Sequence, residues 1–498
     1  MELSRIKLYP APDGAEFLYN RGGRADDGVI YLARGESADF ATYFGCLDAQ
    51  VLLEKTNVRK VSLRLFFDGL AQITLSRYIP YDEPAIDGEK KYHSYVISEI
   101  EAEGSYRTEV EVYGGGLLGF RITSIDKVTF YGGVWECDDA SVNQAVSMGI
   151  IIPILQEGDD RNVVPLTRVK HEINGLDVYV VDCTQSLTEK DLPDGIKLIR
   201  CRNLGEVGAV TRGLIECNSD KKTHALIMRG GVCVDPSVIG RITAFSSVLN
   251  AENLSTAFGC VSFLPETPTK TLRVGKTASE VLGRDLGANI DASTMGGLLA
   301  TCLRNVDYCD WDCFCFPLSA QKMAGLPLPT HTEGSQEWGM RLSEFSSVII
   351  PAGFGVWTKP YERRGYEYYL YRNACFAYAS LGGVSGKPLR KMLNKAFKKY
   401  VHKDKEKLAY VFDGVEDFLK GVNFLHTLAS DKLDKEIQVG PRKQRGYFAS
   451  LFHKIALSSK LRKSRKLNKQ FAQYRAEIIT AKNWSIRLGI ELEEQREK

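Results

Sequence analysis

Alternating apolar and polar side chains dominate the first quarter of the chain. The pattern is clear in residues 61–67, 71–77 and 118–122, and short glycine-containing turns separate such segments. Alternation with a period of two residues indicates strands that bury one face. Closely spaced strands with almost no helical periodicity favour an antiparallel sandwich or jelly roll. We therefore predict a β-sandwich domain over residues 1–140.

Continuous apolar runs replace this alternation from Met148 onward, and helix-compatible segments lie between them. Buried strands that alternate with helices indicate a parallel α/β sheet covered on both faces. We predict such a domain over residues 141–385, with ligands bound beyond the carboxyl ends of its strands. The predicted strands are 149–155, 176–182, 196–200 and 225–228, with helices at 163–173 and from Asn203 onward. The segments expected to meet a ligand are 156–161, 182–185, 202–212 and 229–235.

The third region, residues 386–498, is predicted to be mainly helical and basic. Residues 387–407 form a basic helix-compatible stretch, and residues 414–433 form a more balanced amphipathic one. Residues 442–475 contain many Lys and Arg but no Asp or Glu, and large apolar side chains lie within this segment. The predicted fold class is thus multidomain α/β: an N-terminal antiparallel β-sandwich, a central α/β domain and a helical C-terminal region.

Composition narrows the function classes. Of 498 residues, 44% are hydrophobic and 10% aromatic, which suits packed cores and excludes a wholly disordered chain. The net charge of +3 argues against a dedicated nucleic-acid binder. Twelve cysteines lack metal-site spacing, which favours reduced, mostly buried thiols. The start of the chain lacks a signal-peptide core and no apolar run is long enough to span a membrane, so we expect a soluble cytoplasmic protein.

The order of several motifs resembles a known family. A predicted buried strand ends in Asp182, and the sequence Asn203-Leu-Gly-Glu-Val-Gly-Ala-Val-Thr-Arg-Gly213 follows the next strand. This arrangement resembles family-2 glycosyltransferases with the GT-A fold, and more narrowly the galactofuranosyltransferases that polymerise bacterial cell-wall galactan. Further segments resemble the same family in the same order: residues 41–45, 56–65, 128–133, 226–236, 326–329, 337–341, 356–357 and 368–373.

The resemblance implies a nucleotide-sugar site above the first four strands of the central sheet. Asp182 would face the base or the ribose, and Asn203 and Arg212 would lie near the ribose and the pyrophosphate. Trp311 would present its indole face to an acceptor sugar, with Trp338 lining the same cleft. The residues alone leave other roles open, because Asp182 can cap a turn, Arg212 can be a solvated helix residue and Trp311 can be buried.

Three motifs of the family's metal and base chemistry are absent. Where the family has an acidic triplet after the fourth strand, this chain has Arg229-Gly-Gly231. Where the family has a pair of catalytic aspartates, this chain has Gly334-Ser335. The family's metal-binding histidine follows a Val-Trp pair, and the residue at that position here is Thr358. The family uses Mn²⁺ or Mg²⁺, which prefer oxygen ligands and are repelled by a guanidinium. We therefore predict no metal site and no bound cofactor.

Two functions fit this pattern. The first is a catalytically silent glycosyltransferase homologue that binds a glycan, a lipid-linked acceptor or an active partner transferase in surface-polysaccharide assembly. The second is an active, metal-independent transferase that moves a sugar from a UDP-sugar to a polysaccharide, with Arg229 in place of the metal. The family resemblance also suggests a homo-oligomer. The candidate bases for the second function are Glu337, Glu333, Asp312 and His331.

The basic segment 442–475 is interpreted as a membrane-facing surface. No part of the chain matches a DNA- or RNA-binding module, so a nucleic-acid partner is not expected. Positive charge beside large apolar side chains suits anionic lipid headgroups, which would place the protein peripherally at the inner face of the cell membrane. A solvated helix face is the alternative interpretation.

Overall fold

The computed structural model describes all residues except 7, 9–11, 27, 157, 161–172, 174, 361–362, 384, 422–423, 426–429 and 491–498. Within the described residues, the chain is a mixed α/β protein with four sheets and thirteen α-helices. The first sheet is antiparallel and lies in the N-terminal part of the chain. Its strands are β1 (Glu2–Ile6), β2 (Arg24–Asp26), β3 (Val29–Leu32), β4 (Ser37–Asp39), β5 (Leu47–Asp48), β6 (Lys60–Pro80), β7 (Tyr92–Glu111), β8 (Leu117–Ser124) and β9 (Val128–Glu136), and helix α1 (Ala49–Lys55) follows β5.

The long strand β6 organises this sheet. It pairs with β7 along one edge, and along the other edge with β9 over its first half and with β8 over its second half. The pairing is interrupted at Gly69, whose φ is +97° and where a Cβ would lie 2.1 Å from the carbonyl oxygen of Lys127. The ring of Phe40 contacts both Phe120 on β8 and Phe130 on β9, with centroids 4.7 and 4.8 Å away. The predicted antiparallel β-structure is therefore present, as one continuous sheet around an apolar core rather than two separate sheets.

The central part of the chain contributes the other three sheets. The strands that the apolar runs predict are β10 (Met148–Ile154), β11 (Leu176–Asp182), β12 (Lys197–Arg200) and β13 (His224–Met228). The remaining strands are β14 (Cys233–Val234), β15 (Ala257–Gly259), β16 (Val261–Leu264), β17 (Thr267–Arg273), β18 (Gly275–Thr277), β19 (Arg284–Leu286), β20 (Leu303–Val306), β21 (Cys313–Pro317), β22 (Val348–Ile350) and β23 (Gly355–Trp357). The helices of this part are α2 (Gly205–Ser219), α3 (Pro236–Val248), α4 (Met295–Thr301), α5 (Leu318–Ala324) and α6 (Ser335–Leu342).

An eight-stranded sheet forms the centre of this part, in the order β12-β11-β10-β13-β21-β15-β22-β20. The first four strands are parallel, and every side chain of β10 is buried, as in a strand covered on both faces. The four predicted strands are thus confirmed, and the helix expected after Asn203 is α2. The helix predicted at 163–173 falls almost entirely outside the described residues. Strands β14, β23, β16 and β17 form a smaller sheet, and β18 and β19 form a hairpin.

Helices form the C-terminal region, as predicted, but neither of the two helix-compatible stretches forms a single helix. The basic stretch 387–407 contains two helices, because the side chain of Asp404 accepts a hydrogen bond from the Lys407 amide at 2.9 Å and so caps a new helix. That helix ends at Leu419, before Gly421 with φ +85°, so residues 414–433 do not form one helix. The helices are α7 (Tyr366–Ser380), α8 (Gly386–Tyr400), α9 (Lys405–Leu419), α10 (Ser430–Val439), α11 (Tyr447–Arg462), α12 (Arg465–Ile478) and α13 (Ala481–Leu488).

Apolar contacts continue across the predicted domain limits. One cluster of buried side chains runs from the N-terminal sheet through the eight-stranded sheet and includes Trp484 on α13. The indole of Trp484 also donates a hydrogen bond to the carbonyl oxygen of Pro327 at 2.8 Å. The domain limits at residues 140 and 385 stay predictions. Within the described part of the chain, the helices are too short or too polar to cross a bilayer.

Asp48 joins the N-terminal sheet to the central part of the chain. Its buried carboxylate accepts hydrogen bonds from Nη1 and Nη2 of Arg304 at 2.9 and 2.7 Å. It also accepts hydrogen bonds from the amides of Ala352 at 3.0 Å and Val51 at 3.1 Å. One carboxylate therefore satisfies donors from three separate segments of the chain.

Replacing Asp48 by Ala should lower the free energy of unfolding by about 3 kcal/mol, because it leaves the Arg304 guanidinium and two amides without their acceptor. Denaturant unfolding followed by tryptophan fluorescence measures the change. The matched control is Asp26→Ala, at an exposed position on β2, which should change the same quantity by less than about 0.5 kcal/mol. Equal unfolding midpoints for the two variants would contradict this role of Asp48.

Candidate functional site

The loops that follow β10, β11, β12 and β13 meet at the carboxyl edge of the parallel strands. The amide of Gly231 donates to the carbonyl oxygen of Asp159 at 3.1 Å, and the amide of Cys201 donates to the carbonyl oxygen of Asp182 at 3.0 Å. The first bond joins two of the segments expected to meet a ligand, 156–161 and 229–235. The second joins the segment 182–185 to the residue that precedes 202–212. Residues 157 and 161 of the first segment lie outside the described residues.

Asp182 is fully buried, and the loop that follows it engages both of its carboxylate oxygens. Oδ1 accepts hydrogen bonds from the amides of Thr184 at 2.8 Å and Gln185 at 2.9 Å. Oδ2 accepts one from the amide of Leu187 at 3.1 Å and lies 3.4 Å from Nη1 of Arg200. This is the turn-capping role that the residues alone left open. A base or ribose would have to displace one of these donors to bind the carboxylate.

Asn203 lies just before α2, and Arg212 lies in the middle of that helix. The exposed Asn203 accepts a hydrogen bond from the Gly205 amide at 3.1 Å, and Nη1 of Arg212 pairs with Glu216 one turn further along. Gly205 has φ +74°, and a Cβ there would lie 2.3 Å from the carbonyl oxygen of His331. The glycine therefore lets the segment around His331 pack on the start of α2. Asn203 thus lies just before α2, whereas Arg212 lies in the middle of that helix and already has an acidic partner.

The loop that stands in place of the family's acidic triplet has no space for a carboxylate at its second position. A Cβ at Gly230 would lie 2.4 Å from Cβ of Asp159 and 2.8 Å from the carbonyl oxygen of Pro153. Gly231 has φ +74°, which disfavours an aspartate there. Burial raises the pKa of Asp159, although hydrogen bonds from the Leu155 and Gln156 amides oppose the shift. Packing thus excludes a carboxylate at position 230, and the positive φ strains one at position 231, where there is space for a Cβ.

Arg229 occupies the first position of this loop and faces two acids. Its Nη1 lies 3.0 Å from Oδ1 of Asp312, and its Nε lies 3.6 Å from Oε1 of Glu206. Its amide donates to the carbonyl oxygen of Trp311 at 2.9 Å. Burial lowers the pKa of Arg229, but Asp312 and Glu206 outweigh burial and hold the pKa above its ordinary value. The guanidinium is therefore charged and is compensated from within the protein.

Arg273 and Lys276 supply two further cations from the segment of β17 and β18. Arg273 lies 2.9 Å from Oδ2 of Asp310 and 3.0 Å from Oδ2 of Asp312, and Nζ of Lys276 lies 3.0 Å from Oδ2 of Asp310. Burial raises the pKa of Asp310, but Lys276 and Arg273 outweigh burial and hold the pKa well below its usual range. We call the whole group the ion cluster. Its members are Glu206, Arg229, Arg273, Lys276, Asp310, Asp312 and Glu333.

Glu333 belongs to the ion cluster through the segment that precedes α6. Its backbone has φ +55°, a conformation uncommon for a residue with a side chain. Burial raises the pKa of Glu333 to about 7, and Lys276 opposes this shift while Asp310 supports it. A carboxyl group with a pKa near neutrality is suited to proton transfer.

The two positions of the family's catalytic aspartates take part in packing and hydrogen bonding. A Cβ at Gly334 would lie 2.7 Å from both Cη2 of Trp311 and Cγ2 of Val207. An aspartate at position 334 would therefore displace the indole ring. The hydroxyl of Ser335 donates to Oδ1 of Asp310 at 2.9 Å, so this side chain supports the ion cluster.

The tryptophans expected to meet an acceptor sugar are buried. Trp311 is 1% exposed and Trp338 is 0% exposed, and their rings meet edge to face with centroids 6.1 Å apart. The indole of Trp338 donates to the carbonyl oxygen of Gly325 at 2.9 Å. The carboxylate of Glu337 accepts hydrogen bonds from Nε of Arg341 at 2.6 Å and from Nη2 at 2.8 Å. In this arrangement neither indole presents a face to a sugar, and Glu337 is part of a buried ion pair.

His331 contacts the helices beside the ion cluster. Its Nε2 lies 3.5 Å from Oδ1 of Asp434 on α10, and its ring stacks on Tyr369 of α7 with centroids 5.6 Å apart. Burial lowers the pKa of His331, while Asp434 opposes the shift. Thr358 is buried after β23, where its amide donates to the carbonyl oxygen of Phe263 at 3.0 Å.

The residues at the family's metal-binding positions do not fit Mn²⁺ or Mg²⁺. Such a cation needs several oxygen ligands, and the matching positions carry Arg229, Gly231 and Thr358. Within the described residues, no group of three or more His, Cys, Asp or Glu side chains is placed to hold a metal ion.

Sequence reasoning missed four members of the ion cluster. Glu206 lies within the segment 202–212 that was expected to meet a ligand, and Asp310 lies beside Trp311, so neighbouring motifs were the available signal. Arg273 and Lys276 carried no such signal, because they lie on and after an ordinary strand far along the chain from the other members.

No protein-family model and no curated protein sequence matches the chain. Among solved structures, it is similar to a mannosyltransferase from Pyrobaculum calidifontis in complex with GDP-Man and Mn²⁺, at 11% identity over 66% of this chain and 89% of that one, with a TM-score of 0.33. It is also similar to mannosyl-3-phosphoglycerate synthase from Rubrobacter xylanophilus, at 11% identity over 48% and 76%, with a TM-score of 0.31. A carbohydrate-binding module of a Cellvibrio mixtus lichenase, in complex with cellotriose, aligns with 27% of this chain and 98% of its own length, at 10% identity and a TM-score of 0.16. TM-scores of this size carry no argument about function.

Glu333→Gln should make stability less dependent on pH. The native pKa of about 7 lies above the ordinary value of 4.5, so the native carboxyl binds its proton more tightly than the unfolded one. The wild-type protein should therefore lose stability as the pH rises from about 4.5 through 7. The part of this loss that comes from Glu333 is about 3 kcal/mol, because one pKa unit corresponds to about 1.4 kcal/mol.

Denaturant titrations at pH 5 and pH 8 test this prediction. At pH 8 the Glu333→Gln variant should be more stable than the wild type by a larger margin than at pH 5. Glu344→Gln, at an exposed position just beyond α6, is the control and should change stability equally at both pH values. A pH-independent difference for Glu333→Gln would contradict the raised pKa.

Proposed function

We propose that the chain is a glycosyltransferase-fold protein without transferase activity, which binds a glycan or a partner protein in surface-polysaccharide assembly. The observation that carries this proposal is the pairing of Arg229 with Asp312 and Glu206, at the position where the resembled family holds a metal-binding acid. A guanidinium at this position repels a divalent cation. The charge that would stabilise a leaving diphosphate is already compensated by the protein's own carboxylates.

The charge balance of the ion cluster supports a silent centre. A departing diphosphate is stabilised by positive charge that faces it at the moment of bond cleavage. Arg229, Arg273 and Lys276 each lie within about 3 Å of Asp310 or Asp312. A diphosphate would have to draw these cations away from buried aspartates, and leaving one buried charge unpaired costs about 3–5 kcal/mol.

A metal-independent transferase is the second candidate, and Glu333 favours it. With a pKa of about 7, Glu333 can accept a proton from an acceptor hydroxyl near neutral pH. Arg229 would then face the diphosphate, which requires its pairing with Asp312 to loosen when a donor binds. The motif resemblance is the basis for five further expectations: the UDP-sugar donor, the galactofuranosyl specificity, the lipid-linked acceptor, the partner transferase and the homo-oligomer.

Calorimetric titration with UDP, in the presence and absence of Mn²⁺, tests the silent assignment. We expect no Mn²⁺-dependent binding, and no UDP release from UDP-galactofuranose, UDP-galactose or UDP-glucose. Turnover that persists in EDTA and is lost in both Arg229→Ala and Glu333→Gln, but kept in Glu344→Gln, would overturn the silent assignment and support the second candidate. Turnover that requires Mn²⁺ would contradict both.

We also propose that α11 contacts an anionic membrane surface. Phe448, Phe452 and Ile455 follow one another at intervals of four and three residues, and they are 73%, 69% and 53% exposed. The surrounding residues 442–475 contain no Asp or Glu. Apolar side chains among lysines and arginines on one helix suit the interface of an anionic bilayer.

Co-sedimentation with phosphatidylcholine vesicles, with and without phosphatidylglycerol, tests this surface. Binding should require phosphatidylglycerol, and the double substitution Phe448→Ser/Phe452→Ser should weaken it about tenfold or more, because two large apolar side chains no longer leave water. The matched control is Ile486→Ser on α13, where the isoleucine is 72% exposed, and it should leave binding unchanged. Equal binding to both vesicle types would argue against the proposal.

A further inference from the structure

A groove with a volume of about 850 Å³ lies along α8, on the side of that helix that faces residues 278–282. Gln336 and Met340 of α6 and Ala377 and Tyr378 of α7 complete its walls. The groove is separate from the buried ion cluster, and its walls contain side chains that the proposed function does not use. We name it the α8 groove.

Positive charge follows the α8 groove along its length. Lys387, Lys391, Lys395 and Lys398 line it at intervals of four, four and three residues, which places them on one face of the helix. A helix rises about 1.5 Å per residue, so successive lysines are about 4.5–6 Å apart along the axis. Arg390 also lines the groove, and its Nε is buried without a hydrogen-bond partner among the described residues.

Among the lining residues that the structure describes, one acid opposes these five cations. It is Glu280, whose two carboxylate oxygens lie 2.6 and 2.7 Å from Nζ of Lys395. Once Lys395 and Glu280 are counted as a pair, four cations and no acid remain among the described lining residues. A row of cations at regular spacing matches a linear ligand that carries repeated negative charges.

The groove also has an apolar part and little aromatic surface. Val281, Leu282 and Met392 contribute apolar side chains, which suit the C–H faces of sugar rings. Tyr378 is the one aromatic lining residue, and its hydroxyl donates to the carbonyl oxygen of Ser385 at 2.9 Å. Proteins that bind single-stranded nucleic acids use several aromatic rings to stack successive bases. The described lining thus lacks the series of stacking rings that single-stranded nucleic-acid sites use.

Helix α6 connects the groove with the ion cluster. Ser335, its first residue, donates to Asp310 of the ion cluster at 2.9 Å. Gln336, the next residue, lines the groove and donates from Nε2 to the carbonyl oxygen of Val281 at 2.6 Å. A chain lying in the groove would therefore pass beside the helix that supports the candidate functional site.

We propose that the α8 groove binds an anionic glycan, a saccharide chain with repeated carboxylate or phosphate groups. The regularly spaced lysines would pair with the charges, and the apolar side chains would contact the sugar rings. This inference deepens the proposed function and rests on it for the role of the glycan, because it names the ligand class of the silent protein. The binding itself requires neither a nucleotide nor a metal.

The experiment uses the full chain without nucleotide and compares four fluorescent probes by anisotropy: oligogalacturonate, phosphorylated dextran, neutral dextran and a single-stranded DNA of similar charge. The triple variant Lys387→Gln/Lys391→Gln/Lys398→Gln removes three exposed groove cations and leaves the pair of Lys395 with Glu280 intact. The matched control, Lys322→Gln/Lys399→Gln/Lys403→Gln, removes three exposed lysines that neither line the groove nor lie in the segment 442–475.

The groove variant should bind the anionic saccharides about tenfold more weakly, and the control variant should change affinity less than about twofold. Tighter binding of oligogalacturonate or of phosphorylated dextran identifies the charged group as carboxylate or phosphate. Equal losses in both variants, equal affinity for neutral dextran, no saccharide binding, or tighter binding of the DNA would each overturn the proposal. The anisotropy assay contains no nucleotide sugar. Turnover detected in the separate UDP-release assay would therefore refute the silent function and leave the groove result unchanged.

Discussion

Charge compensation around Arg229 is the constraint on which the candidate functional site depends. A guanidinium at the carboxyl edge of buried strands is tolerated only where carboxylates face it, and Asp312 and Glu206 do so. Asp312 in turn faces Arg273, which also faces Asp310. One arginine at the end of β13 is thus tied to acids before β21 and to a cation on β17. The family's metal ligands are replaced here by a set of paired charges. The buried carboxylates of this set are balanced by its cations, and the cations by its carboxylates.

Packing closes the same site independently of charge. Gly230 lies against Asp159, and Gly334 lies against Trp311, so neighbouring side chains occupy the space that acidic side chains would need. Trp311 and Trp338 then fill the interior beneath α6 instead of an open cleft. Restoring a carboxylate at position 334 would therefore require a rearranged interior as well as a changed residue. Charge and packing both separate this centre from the chemistry of the family that the sequence resembles.

Much of the central sheet could be predicted from the sequence, because strands β10 to β13 are largely apolar runs and such runs indicate buried strands. The break between α8 and α9 could not, since basic, helix-compatible composition continues past Tyr400. The break depends on a cap in which the Asp404 side chain accepts a hydrogen bond from the Lys407 backbone amide. The position of Asp182 at a strand end was predictable, but the loop conformation that engages its oxygens was not. The contribution of Lys276 was unpredictable, because its partner Asp310 lies far along the chain and local patterns carry no long-range pairing.

The loop between α5 and α6 depends on a much later part of the chain. The amide of Leu326 donates to the carbonyl oxygen of Ile479 at 2.9 Å, and Pro327 accepts a hydrogen bond from the indole of Trp484. Leu326 also accepts a hydrogen bond from Arg341 beneath the candidate site. Domains form from the N-terminal side during synthesis, at about 5–20 residues per second. A nascent chain that carries the whole central sheet must therefore wait for Ile479 and Trp484 to be synthesised before this loop is secured.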